Sequence, residues 1–171
     1  STDLATKSEL IHLLDEAVKQ QEMKGCCMAV KEALEKVVHS GREFVEESDM
    51  LPAKDKYARR LLHLDPEGRY SVLAMVWNSG QGTPIHDHAG MWCVECVYRG
   101  KILVTSYSVD KQEGDDYWLT KESQIVAGIG EAGAEESASL PLDAEQSRAL
   151  SEEVRQVAQG MLNEEDNLLE Q

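Results

Sequence analysis

Apolar residues at the amino-terminal end recur at intervals of three and four. Leu10, Leu13, Leu14, Ala17 and Val18 mark one face of a helix, and Thr6-Lys7-Ser8-Glu9 has the spacing of a capping box that would open it. A second helix is predicted over about residues 26–39, where Val30, Ala33, Leu34, Val37 and Val38 share a face and Gly41 supplies the stop. From "YARRLLHLDPEGRYSVLAMVWNSG" onward the pattern changes to short apolar runs broken by turn clusters, Asp65-Pro66-Glu67-Gly68 and Asn78-Ser79-Gly80-Gln81-Gly82. "MWCVECVY", "KILVTSYSV" and "DYWLT" continue it, with Arg99-Gly100 and Glu113-Gly114-Asp115-Asp116 as tight connections. Strands this closely spaced, with no helix between them, predict a mainly β antiparallel sandwich or barrel behind a helical pair.

A third regime begins near Gly133, where strand-like sequence is expected to end. Residues 135–171 carry ten acids against two bases, Arg148 and Arg155. Asp143 with Gln146 could cap a helix there whose apolar stripe is Leu150, Val154, Val157, Ala158 and Met161. The predicted organisation is thus one unit over residues 1–134 and an acidic, helical segment over residues 135–171.

At 171 residues the chain has the length of one domain with a sizeable core. No apolar run approaches the roughly 18 residues of a membrane span. A net charge of -15 with no basic cluster disfavours nucleic acid and anionic lipid as partners. The start, "STDLATKSEL", lacks a basic stretch followed by an apolar one, so a cytoplasmic location is expected. Cys26, Cys27, Cys93 and Cys96 do not form a disulfide-like pattern, and reduced thiols are expected.

The chemistry concentrates in "GQGTPIHDHAGMWCVECVYRG". Side chains at i and i+2 of a strand share a face, so His86 and His88 can aim two imidazoles at one point while Asp87 faces away. Neutral imidazole is the commonest metal ligand, although two such histidines also occur as ordinary polar surface. Cys93-Val-Glu-Cys96 adds a CxxC, and with the histidines it makes a structural zinc site or redox dithiol the rival reading. Against that rival, a regular strand puts residues three apart on opposite faces.

Reading outward, Gly80, five residues, His86, one, His88, four, Cys93, six, Gly100 resembles the first signature of the cupin barrels. Cys93 occupies the usual glutamate position there. That replacement, with "IHDH" after a Trp-containing strand, resembles the cysteine dioxygenase family of thiol dioxygenases, bacterial type. Arg59-Arg60, the turn at Gly68 and Trp77 also fall where that family has them, and the likeness spans about residues 1–134. It implies a cupin-like antiparallel β-barrel (jelly roll) and a non-haem Fe(II) held by His86 and His88. With O2 the iron would convert a small thiol, L-cysteine or 3-mercaptopropionate, to its sulfinic acid. Arg60 matches the family's clamp on the substrate carboxylate, a role suited to a planar guanidinium. In mammalian-type members the cysteine at position 93 is joined to a tyrosine. Tyr117 is the last tyrosine here, so Cys93 is expected to be an unmodified thiol beside the site.

The family's third histidine lies on a later strand, after a segment resembling "IVAGIGEAGA", yet no histidine follows His88. Four explanations stay open: a helix replaces the missing strands, the chain is a pseudo-enzyme, it is a truncated or imperfectly recorded form of a longer dioxygenase, or a partner supplies the other half. The third is the expectation for the sequence. A lone half-barrel should be covered or form a homodimer, because an open sheet edge invites pairing. An inactive cupin-like binding protein, or an acidic interaction protein docking through its carboxy-terminal helix, are the non-enzymatic readings. His12 and His39 fall on the predicted helices. His63, near Arg60, could approach the pocket, with a structural role favoured.

Overall fold

The computed structural model describes residues 3–82 and 92–135. Two helices come first, α1 (Leu4–Ala17) and α2 (Met23–His39), followed by a short 3-10 turn at Glu47–Met50. Six strands follow: β1 (Ala58–Leu64), β2 (Ser71–Val76), β3 (Cys93–Cys96), β4 (Ile102–Glu113), β5 (Asp116–Ala127) and β6 (Ala132–Glu135). They form three antiparallel ladders, β1 with β2, β3 with β6 and β4 with β5. The architecture is therefore mainly antiparallel strands with two helices. Among the described residues the ladders do not close into a barrel. The expected carboxy-terminal helix lies outside the described residues.

The first helix begins earlier than its capping box suggested. Asp3 is the cap, and its Oδ1 accepts the Thr6 backbone N–H at 3.1 Å. Thr6 sits inside the first turn, fully buried, so its side chain packs instead of capping. Either oxygen can serve an orphan amide, and Asp3 is placed to reach it because residue 3 is still extended. The second helix likewise starts at Met23, before the expected Cys26, and Gly41 at φ 73° follows its end.

Leu10, Leu14 and Ala17 of α1 and Cys26, Val30, Ala33 and Val37 of α2 recur at four- and three-residue intervals, and all are buried. Their stripes meet in one core with Phe44, Val45 and Tyr70. Leu62, Val72 and Ala74 of the β1–β2 hairpin pack against it, as do Trp92, Val94, Cys96 and Tyr98. Cys26 and Cys27 are both buried. Phe44 closes the core edge-on to Tyr98, with ring centroids 5.0 Å apart, and its N–H donates to the Tyr98 hydroxyl at 3.3 Å.

The strand β6 falls where strand-like sequence was expected to end. "AGAE" has no β-branched or aromatic residue, so propensity gives no signal for it. Its partner supplies the order: Cys93 to Cys96 lie opposite Glu135 to Ala132. The Gly130 N–H donates to the Val97 carbonyl at 2.8 Å and the Val97 N–H to the Glu131 carbonyl at 3.1 Å, which extends the ladder.

A charged cluster locks the β1–β2 turn to α1. Buried Asp65 accepts Arg69 N at 2.8 Å and Arg69 Nε at 2.7 Å, while Arg69 Nη2 and the Tyr70 hydroxyl reach Asp15 Oδ1 at 3.2 and 2.7 Å. Burial pushes the Asp65 carboxyl up, but the donors of Arg69 and the Glu67 amide outweigh it, so it titrates below its usual 3.8. A carboxyl depressed in the folded state stabilises above its unfolded value and loses that contribution as pH falls through the folded one. Asp65→Asn is accordingly expected to cost about 2 kcal/mol at pH 7. The gap to the parent should shrink below about pH 4, as urea unfolding at both pH values would show.

Candidate functional site

His86 and His88 lie outside the described residues, and so does the segment 83–91 that carries them. The structure describes the residues that flank that segment in the chain, up to 82 and from 92. At its entrance, Asn78 N donates to Gln81 Oε1 at 2.8 Å, and both side-chain amides reach the Ala53 carbonyl, at 3.3 Å from Asn78 and 3.4 Å from Gln81. Gly80 at φ 83° and Gly100 at φ 75° bracket the motif. Both occupy the left-handed region, which is why glycine stands at these two turns.

Strand alternation decides which neighbours share a face. Arg60 lies opposite Ala74 and Arg59 opposite Met75. Ala74 packs against the helical core, so Arg60 springs from the helix side of the hairpin. There Arg60 Nη2 donates to the Leu51 carbonyl at 3.1 Å, and Arg60 Nε is buried with no partner among the described residues. Arg59 takes the opposite side, which it shares with Met75. Next to β1 and β2 on that hairpin, Tyr57 and Trp77 stack with centroids 5.8 Å apart and planes at 29°. Reading the pair "RR" against the strand period, with Ala58 as the buried reference, would have separated the two arginines.

His63 does not join this side. A register irregularity falls between Leu61 and His63, and His63 then pairs with Val72. Its ring lies 5.8 Å from that of Tyr70, and it lines a small void with Leu10, Ile11, Phe44, Leu62 and Val72. The bulge turns it toward the helices. His12 and His39 are both exposed on their helices.

The segment "CVEC" is strand throughout. Val94 and Cys96 pack against the core, so Cys93 and Glu95 belong to the face turned away from the helices. The two thiols therefore diverge. Burial, with a smaller push from Glu35, raises the Cys96 thiol to about 11. A protonated thiol is a poor nucleophile at neutral pH. The turn that a CxxC zinc or dithiol site requires is absent, and among the described residues no three His, Cys, Asp or Glu side chains converge as a metal site.

Cys93 faces away from the helices, while Arg60 is engaged on the helix side by Leu51. No helix among the described residues is long and apolar enough to cross a membrane. A family model for cysteine dioxygenase type I matches residues 1–138.

Proposed function

From the membership of this chain in the cysteine dioxygenase type I family, we propose that it oxidises a small thiol with O2 to a sulfinic acid at a non-haem Fe(II) site. The match across residues 1–138, with "IHDH" inside it, carries this reading. The donors suit the metal: His86 and His88 would hold Fe(II), and imidazoles leave the site without added negative charge. When bound, the iron would supply neighbouring positions for the thiolate and for dioxygen. L-Cysteine and 3-mercaptopropionate are the substrates proposed, and a cytoplasmic location and a cupin-like barrel go with the reading.

The protein's own side chains have simpler tasks. Cys93, on the face of β3 turned from the helices, is the thiol proposed to stand beside the site. The resemblance assigns the substrate carboxylate to Arg60. Strand alternation offers its neighbour Arg59 as a rival, because Arg59 lies on the Tyr57 and Trp77 side of the hairpin while Arg60 lies on the helix side. A guanidinium on the Trp77 side could grip a carboxylate with two parallel hydrogen bonds. Arg59→Gln is expected to raise KM about tenfold or more for thiols bearing a carboxylate, from the loss of a charge-assisted bond. The same change should leave cysteamine, which has no carboxylate, unaffected. Arg60→Gln should instead lower thermal stability with KM little changed. The reverse pattern would return the clamp to Arg60.

The reading is tested by loading the chain with Fe(II) without oxygen, removing free metal, and measuring retained iron beside zinc. Sulfinate formation from L-cysteine and 3-mercaptopropionate in air follows. Retained iron with sulfinate is the expected result. No retained iron would sink the dioxygenase reading, and tight zinc lost on Cys96→Ala would favour the CxxC reading.

A further inference from the structure

The stretch "LPAKDKY", residues 51–57, has no regular secondary structure, yet side chains of the β1–β2 region fasten it as a strap. Arg60 Nη2 holds the Leu51 carbonyl at 3.1 Å, and Tyr57 stacks on Trp77. Between them the Ala53 carbonyl accepts from Asn78 Nδ2 at 3.3 Å and from Gln81 Nε2 at 3.4 Å. A carbonyl oxygen has two lone pairs, so it can serve both donors at once. Gln81 also acts within its own turn. Its Oε1 accepts the Asn78 N–H at 2.8 Å while its N–H donates to the Asn78 carbonyl at 3.1 Å, which closes the 78–81 turn on itself.

A turn of this kind needs only its backbone bond and a glycine such as Gly80 at φ 83°. The two side-chain amides aimed at Ala53 exceed that need, so their effect is to join the turn to the strap. Trp77, Asn78 and Gln81 stand just before the segment that carries the HxH motif, and His86 follows Gln81 by five residues. Five residues of chain span at most about 18 Å. Where Gln81 is held therefore bounds the space open to the first imidazole.

We propose that Asn78 and Gln81 are positioning residues for the iron site: by clasping Ala53 they bind the strap to the turn that leads into the HxH segment, so that strap closure and metal binding favour each other. This rests on the reading of His86 and His88 as iron ligands. Linkage makes the effect reciprocal, and whatever a closed strap adds to iron affinity, bound iron returns as protection of the strap. Lys54 and Lys56 are exposed within the strap and offer trypsin its bonds there. Cleavage of a folded chain follows the population that has opened.

Gln81→Met, neutral and of similar length, removes both amide contacts, whereas Asn78→Ala removes one donor to Ala53 and leaves the backbone bonds of the turn. Each full-length variant is loaded with Fe(II) without oxygen, and iron retention is measured against a graded chelator. Trypsin cleavage after Lys54 and Lys56 is timed with and without the metal. In the parent, iron is expected to slow that cleavage about fivefold or more. Gln81→Met should be cut faster without metal, hold iron about fivefold or more weakly and lose most of the protection. Asn78→Ala should shift each reading in the same direction by less. The thermal melt of the helix pair, followed by circular dichroism, should stay as in the parent, since neither side chain belongs to the core. Iron held by Gln81→Met as tightly as by the parent would overturn the proposal even where the strap is cut faster, because the clasp would then be a structural tie alone. So would cleavage in an iron-loaded parent that proceeds as fast as without iron. A parent that retains no iron would instead take down the dioxygenase reading and this proposal together.

Discussion

A His86→Ala chain is expected to retain no Fe(II) after free metal is removed, and to form sulfinate more than about 100-fold more slowly than its parent. The scale follows from weaker perturbations, since removing a group that merely orients a metal ligand already costs about 10- to 100-fold. Here the loss is an imidazole itself, one of only two in "IHDH". His63→Ala is the matched control. His63 is turned to Tyr70 and the α1 side by the irregularity in β1, so its removal should change stability and leave iron retention intact. Iron measured in both variants by emission spectroscopy separates the outcomes. Full iron in His86→Ala would move the metal away from the HxH motif, and iron lost in His63→Ala would make that residue a ligand.

Leu10→Ala is expected to destabilise the chain by about 3 kcal/mol, a large share of the roughly 5–15 kcal/mol that holds a domain together. Leu10 is 1% exposed and stands where α1, Phe44 and the β1–β2 hairpin meet. A small void already lies beside it. Truncation would enlarge that void, and packed helices relax only partly into such space. For a chain of this length the midpoint should fall by about 6–12 °C in a thermal melt. Leu4→Ala in the same helix, at 70% exposure, should stay within about 0.5 kcal/mol. If both cost the same, the helix pair is not the core that orders the strands. Because Leu62, Val72 and Ala74 rest on this core, the same truncation should also weaken the face that carries Arg59 and Trp77.

Periodicity made the first part of this fold legible. The stripes of α1 and α2 are local patterns, and Asp65–Gly68 and Glu113–Asp116 are turns whose residue types encode them. The motif "GQGTPIHDH" is equally local, so both the metal-ligand spacing and the family likeness could be read from neighbouring residues, and the match over residues 1–138 agrees with that likeness. What local sequence leaves open is which partner an element finds. Nothing in "AGAE" marks a strand until β3 pairs with it. "CVEC" reads as a metal motif until the ladder sends its thiols to opposite faces. The capping-box spacing pointed to Thr6, and the extended backbone at residue 3 makes Asp3 the cap instead. Arg59 and Arg60 are alike in type and adjacent, and only the register against Met75 and Ala74, with the helices on one side, gives them different surroundings. The first two helices, the turns and the spacing of the HxH pair were readable in the sequence, because each depends on residues within a few positions. The tertiary structure decided β6, the separation of the cysteines and the division between the arginines, because each depends on contacts with residues distant in the chain.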